Sequence, residues 1–274
     1  MFSDYHTHTL YSNHGKGHPR EMAAYAVEKG LLALGFSEHF PLPAEIVEPS
    51  GGGANMHWDQ IDLYTQEVRE AQEEFEGKIK ILLGYEVDYL PSVDDQMRAN
   101  LAKYPADYWV GSIHIVDHFR SNHESWLVDY SPEVFEEGME EIGGPRAVYT
   151  RYYELIREFA QKYEHRIVGH LDMIKKFNVN KRYFDTDSEH YLSQVEATLD
   201  VLKATGKIVE INTAGAFKDI GEIYPSDKIL QMILHRRLPV CLSSDAHRPD
   251  HVAREFSATW QRLVKMGFEE VTML

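Results

Sequence analysis

Asp4-Tyr5-His6-Thr7-His8 and Pro239-Val240-Cys241-Leu242-Ser243-Ser244-Asp245-Ala246-His247 stand near the two ends of the chain. Their reading decides the fold. Each is a short apolar run that passes into a pair of metal-binding residue types. Side chains at alternate strand positions face the same way, so His6 and His8 are aimed at one spot. Asp245 and His247 are aimed likewise if the extended conformation continues that far. Imidazoles and carboxylates converging from separate strand ends predict a metal site.

Seven apolar runs of strand length lie along the chain: Phe2–Tyr5, Leu31–Phe36, Ile79–Tyr85, Tyr108–Ile113, Arg166–Gly169, Lys207–Ile211 and Leu238–Leu242. Helix-like segments separate them. Glu21–Glu28 follows Pro19, which suits a first helical turn. Trp58–Phe75 carries Ile61, Tyr64, Val68, Ala71 and Phe75 at three-to-four spacing, an amphipathic period. Val93–Lys103, Arg146–Tyr163, Ser188–Ala204, Pro225–His235 and His251–Met266 complete the series. Strands alternating with helices predict parallel βα units. An open doubly wound sheet and a closed barrel both fit that alternation. Nearly every strand end carries a polar chemical group, whereas an open sheet would concentrate such groups beside its switch point. A closed α/β barrel in a single domain over residues 1–274 is therefore expected. Two insertions interrupt the pattern and read as loops: Pro41–His57, which contains Gly51-Gly52-Gly53, and the longer His114–Gly144.

The strand ends, taken in order, supply His6 and His8, with His14 in the loop beyond, then His39, Glu86, His114, His170, Asn212, and finally Asp245 and His247. Seven histidines, one glutamate and one aspartate exceed what a single ion can hold, so two or three metals are expected. A lone histidine beside an apolar run is ordinarily a hydrogen-bonded core residue; the same placement at six of seven strand ends points to ligation. His57, His165, His190, His235 and His251 lack the pattern and read as solvated surface residues. His18, His118 and His123 are intermediate cases. Asp4 faces the same side as His6 and is expected to orient a ligand imidazole. Glu38 points away from His39 and reads as a structural ion-pair partner.

Composition sets bounds on function. The chain has 274 residues and a formal net charge of −16. That balance opposes nonspecific nucleic-acid binding, which needs a basic footprint. It does not oppose an anionic small molecule, because bound divalent cations would invert the local field. No apolar stretch approaches the roughly 20 residues that cross a bilayer, and no signal peptide is visible. The single cysteine, Cys241, excludes an intramolecular disulfide and lies in an apolar run as a small core residue. A cytoplasmic protein without membrane partners is expected.

The assembled residues resemble the PHP (polymerase and histidinol phosphatase) superfamily of metal phosphoesterases. The superfamily signals are Asp4-x-His6-x-His8, His39, Glu86, His114, His170 and Asp245-x-His247. Its histidinol-phosphatase branch is matched by Gly84-Tyr85-Glu86-Val87-Asp88-Tyr89, Gly111-Ser112-Ile113-His114, Gly169-His170-Leu171-Asp172 and Glu210-Ile211-Asn212-Thr213. The resemblance implies a distorted (β/α)7 TIM-like barrel with three divalent metal ions, of zinc, iron or manganese, at the C-terminal strand ends. His6, His8, Glu86 and Asp245 would hold the first. Glu86 would bridge to a second, completed by His114 and His170. His14, His39 and His247 would hold the third.

The resemblance also implies a reaction: hydrolysis of L-histidinol phosphate to L-histidinol and phosphate, a stage of histidine biosynthesis. Asp245 is the candidate to receive the proton of the attacking water, and His247 a candidate acid for the leaving group. Arg120, Lys175 and Lys176 lie just past strand ends and are candidate phosphate-binding cations; Asn212 is a candidate substrate contact. Phe119, Trp126 and Phe217 are candidates to stack on an imidazole. The same scaffold also suits another small phosphomonoester, a nucleotide or an oligonucleotide phosphodiester. An amidohydrolase-like barrel would place a lysine where Glu86 stands, and a noncatalytic binding module would need far fewer ligands.

Overall fold

A computed structural model describes residues 2–46 and 53–274. Gly51 and Gly52 of the first insertion lie outside the described residues. Seven parallel strands form one sheet: β1 (Ser3–Asp4), β2 (Ala33–His39), β3 (Lys80–Asp88), β4 (Tyr108–Ser112), β7 (Ile167–Val168), β8 (Ile208–Asn212) and β9 (Val240–Ser243). They lie side by side in chain order, so the sheet has no switch point. Its edges meet where Thr7 bridges Ala246 in parallel and His8 N–H donates to the Ala246 carbonyl at 2.7 Å. The result is a nearly closed barrel, and the open-sheet alternative is excluded. It is a single domain.

Helices flank the strands: α1 (Pro19–Glu28), α2 (Ile61–Glu74), α3 (Asp94–Leu101), α5 (Pro145–Lys162), α6 (Glu189–Ala204), α7 (Asp227–Arg236) and α8 (Phe256–Met266). The expected stripe of α2 is the buried one: Ile61, Tyr64, Val68 and Ala71 face the core. With helices outside and side chains inside, both faces of each strand are covered, which is why the runs read as continuously apolar.

The insertion at 114–144 is not an irregular loop. It folds as a hairpin, β5 (Ile115–His118) with β6 (Ser125–Leu127), followed by α4 (Pro132–Ile142). The Ser131 side chain caps α4 by accepting from Val134 N–H at 3.2 Å, Pro132 occupies its first turn, and Gly143 ends it in the left-handed region. These stop and start signals are local. The broader pattern of the segment, charged and aromatic, conceals them.

Inward positions along the strands run from apolar to polar. They read Ala33, Gly35, Ser37, His39 on β2; Leu82, Gly84, Glu86, Asp88 on β3; Tyr108, Val110, Ser112 on β4; and Ile208, Glu210, Asn212 on β8. The lower half of the interior is an apolar plug of Tyr5, Ala33, Tyr108, Val110, Ile167, Ile208 and Cys241. The Tyr108 hydroxyl crosses it to donate to the Tyr5 carbonyl at 2.7 Å. A Cβ at Gly35 or Gly84 would come within 2.3 or 2.5 Å of the Tyr108 side chain, so glycine makes room for the ring. Cys241 is buried there, as expected of a core residue.

Candidate metal centre

Above the plug the inward positions become the predicted donors, and Glu86 stands at their middle. Its Oε2 lies 3.2 Å from His6 Nε2, 3.5 Å from His8 Nε2 and 3.0 Å from His39 Nδ1. Its Oε1 lies 2.9 Å from His170 Nε2 and 3.7 Å from His114 Nε2, and accepts from Ser112 Oγ at 2.5 Å. Asp245 Oδ1 lies 3.4 Å from His8 Nε2, 3.8 Å from His6 Nε2 and 3.6 Å from His247 Nδ1. Donors bound to one ion at about 2.0–2.2 Å sit roughly 3–3.5 Å apart at octahedral or tetrahedral angles. Four overlapping triads approach that spacing, with donor atoms within 4.8 Å of one another: His6/His8/Asp245, His6/Glu86/His170, His39/Glu86/His114 and His8/His39/His247.

His14 belongs to none of these triads among the described residues. Its ring lies 4.3 Å from that of His247 and 5.7 Å from that of His39, on the rim of the same cavity. The donor set fits a cation on a second ground. Nε2 of His6, His8 and His247 is buried without a hydrogen-bond partner, an arrangement native interiors avoid unless something binds there.

The electrostatics agree. Burial opposes the charge of Glu86, yet the rings of His6, His114 and His39 outweigh it and hold the carboxyl well below its ordinary range. Asp245 is likewise held low against burial, by His6, His8 and His247. For His6 burial favours the neutral ring, but Glu210, Glu86 and Asp245 reverse that and raise its proton affinity well above ordinary. Burial and the neighbouring rings instead hold His14, His39 and His247 low, so these imidazoles stay neutral, the form that ligates a metal.

Three carboxylates behind the cluster orient it. Glu210 Oε1 accepts from His6 Nδ1 at 2.6 Å while Oε2 accepts the His170 N–H at 2.6 Å. Asp88 receives His114 Nδ1 at 3.1 Å. Glu38 receives His8 Nδ1 at 3.2 Å and the Thr9 N–H at 2.8 Å. Each bond turns Nε2 of its ring toward the cluster. Asp4, expected in this role, accepts instead from the backbone N–H of Ser244 and Ala253, both at 3.0 Å, and pins the β9 end to β1. Glu38 faces away from His39, as read, but both faces of β2 are buried, and its face carries His8. Glu210, quoted above only within a motif, is marked as inward-facing by its period-two spacing from Asn212.

Asp245 departs from the expected extension. Its φ is +50°, so the strand breaks at Ser243 and a left-handed residue swings the carboxylate toward His6 and His8. A non-glycine residue held this way costs about 1–3 kcal/mol and is typical of functional positions.

The donors open into a cavity of about 380 Å³. Lys176 lines it and donates to Asp129 Oδ2 at 3.2 Å. Three substrate-contact expectations are corrected by their partners. Lys175 is buried, held by Asp172 Oδ2 and Glu222 Oε2 at 3.0 Å each. Arg120 sits on the hairpin turn against Glu141, away from the cavity. Asn212 donates to Glu210 and to Asp245 Oδ2, at 3.1 and 3.2 Å, and so orients a carboxylate rather than a substrate. Trp126 packs over Gly138, Phe119 is buried and Phe217 lies under Arg254; none of the three lines the cavity. Lys218 does line it, exposed and with no carboxylate partner among the described residues. Its place just past the β8 end was the same signal that had singled out Lys175 and Lys176.

The fold and its cluster have counterparts among known proteins. The family model described as "PHP domain" matches residues 4–214. The chain belongs to the PHP family. Full-length relatives in it include the "Probable histidinol-phosphatase" of Deinococcus radiodurans, 31% identical over 98% of this chain and 95% of that one. The "Histidinol-phosphatase" of Bacillus subtilis is 29% identical over 94% of this chain and 98% of its own. Among solved PHP structures, a candidate histidinol phosphatase of Listeria monocytogenes superposes with a TM-score of 0.85, at 27% identity over 93% of this chain and 99% of that one. A histidinol phosphate phosphatase of Lactococcus lactis, solved with zinc, L-histidinol and phosphate, superposes at 0.70 and 21% identity over 98% of this chain and 95% of its own.

Proposed function

We propose that this chain is a histidinol-phosphatase, hydrolysing L-histidinol phosphate to L-histidinol and phosphate. The observation that carries the reading is its extent: relatives bearing that name match over 94–98% of this chain and 95–98% of their own length, well beyond the metal motifs. The ligand named for the Lactococcus lactis structure agrees.

His6, His8, Glu86 and Asp245 would hold one divalent ion, Glu86 with His114 and His170 a second, and His14, His39 and His247 a third. Nitrogen and oxygen donors without thiolate suit zinc, iron or manganese alike. Bound there, the ions would supply an acidified water and neutralise phosphoryl charge. The chain's own residues do the rest. Asp245, steadied by Asn212, is placed to take the proton of the attacking water at a carboxylate oxygen. His247 turns Nδ1 to the Asp245 carbonyl at 2.9 Å, which leaves Nε2 for the third ion rather than for returning a proton to the leaving alkoxide. Lys218 and Lys176 supply mobile positive charge for the phosphate oxygens. The apolar plug below closes the site to water from the far end of the barrel.

Phosphate release from a panel of monoesters and diesters, with metal analysis of the same preparation, tests the reading. Histidinol phosphate should be turned over with the highest kcat/KM. Preference for a diester or a nucleotide would replace the proposed substrate while leaving the metal site intact.

A further inference from the structure

Four carboxylates line the cavity among the described residues: Glu86, Asp88, Asp129 and Asp245. Glu86 and Asp245 lie among the donor atoms, and Asp88 is occupied by the His114 ring. Asp129 makes no hydrogen bond to a histidine among the described residues, although the His114 and His170 rings act on it through space. It lies just beyond β6 on the inserted hairpin, and its Oδ2 accepts from Lys176, whose Nζ also reaches the Asp129 carbonyl. That ion pair is partly open to the cavity, with side-chain exposures of 17% for Lys176 and 25% for Asp129. Both partners therefore face the space a substrate would enter. A lysine has three donors on a flexible stem and can leave one acceptor for another.

Resting on the reading above, the substrate is itself an ion pair. Histidinol phosphate carries a dianionic phosphate and, on the adjacent carbon, an ammonium. We infer that substrate binding exchanges partners: Lys176 moves from Asp129 to the phosphate, and Asp129 receives the substrate ammonium. Asp129 is then the specificity-determining residue for aminoalkyl phosphates over simple alkyl phosphates. Charge is conserved in the exchange, so no carboxylate is left buried and unpaired, the outcome that would oppose binding most strongly. A phosphate ester without the amine breaks the same pair and leaves Asp129 without a cation, so the site selects against it.

The test compares L-histidinol phosphate with its deaminated analogue, 3-(imidazol-4-yl)propyl phosphate, in the metal-loaded enzyme. Wild-type protein should prefer the amine-bearing ester by about 10- to 100-fold in kcat/KM, the scale of one charge-assisted hydrogen bond. Asp129→Asn should lower kcat/KM for histidinol phosphate at least tenfold more than for the analogue, chiefly through KM, with metal content unchanged. Asp129→Glu should restore part of the preference. Equal losses on both substrates, or a wild-type enzyme indifferent to the amine, would overturn the inference while leaving the phosphatase reading standing. Failure of the wild-type protein to release phosphate from histidinol phosphate would remove that reading, and the inference with it.

Discussion

His165 and His170 stand at opposite ends of the same short strand, β7, and both are buried, yet they live in different chemistries. His170 emerges at the C-terminal end, where its Nε2 meets Glu86 and its N–H meets Glu210. His165 enters at the N-terminal end, its ring tilted against that of Phe159 at 4.4 Å and packed on Gly111, with Nδ1 unpartnered among the described residues. Burial and the nearby Lys207 ammonium push its pKa down to about 3. One end of the barrel gathers ionisable side chains into a cluster, and the other keeps its histidine neutral. In parallel barrels chemistry sits at the C-terminal end and stability at the other.

The contrast is open to attack by mutation. The largest effect is expected at its polar extreme. Glu86→Ala should abolish phosphate release, by a thousandfold or more, and lower bound metal, with the circular dichroism of the fold retained. Wild-type turnover in that variant would refute the central place given to Glu86. Glu210→Gln should weaken metal affinity about 10- to 100-fold, the usual scale for a residue that orients a ligand imidazole. Chelator competition reads this directly, and unchanged affinity would mean that His6 needs no carboxylate behind it.

At the apolar end the readout is stability. The folded state resists protonating His165, whereas the unfolded chain binds that proton near pH 6.5. The stability this residue allows is therefore complete above pH 6.5 and lost as pH falls toward about 3. Between pH 7 and 5 the loss is about 2 kcal/mol. Denaturant unfolding of His165→Phe should show that increment removed relative to wild type; parallel pH profiles would show that His165 is not shielded as described. The smallest effect is expected from Cys241→Ser, deep in the apolar plug. A hydroxyl there should cost about 1–2 kcal/mol of stability and leave kcat/KM within a few-fold. A thousandfold rate loss in a folded variant would carry chemistry into a region assigned to packing.

The same comparison marks what could be read in advance. His165 reads as a surface residue because it lies outside an apolar run, and the sequence around it is charged. Its burial depends on Phe159 from α5 and on the missing side chain of Gly111, neither of which is a neighbour in the chain. The hairpin and α4 are signalled only by short turn and cap residues, which the charged and aromatic pattern of the whole segment conceals. Glu210, Glu38 and Asp88 carry no signal of which imidazole they hold, since those partners come from other strands. His190, by contrast, is half-buried against Tyr149, and His57 and His235 are exposed, close to expectation.

By itself the amino-acid order determined the alternation of strands and helices and set eight metal-binding residues at strand ends, with His14 in the loop beyond the first. Both are local properties, because strand periodicity fixes which face a side chain takes within a few residues. Only the tertiary structure decided that the sheet curls until Thr7 meets Ala246, that Asp245 turns back at a positive φ, and which carboxylate stands behind each ring. Those depend on register between strands that chain order leaves unspecified. Lys175 and Arg120 have the right charge in the right neighbourhood, but where a long flexible side chain points is settled by the acid that reaches it first.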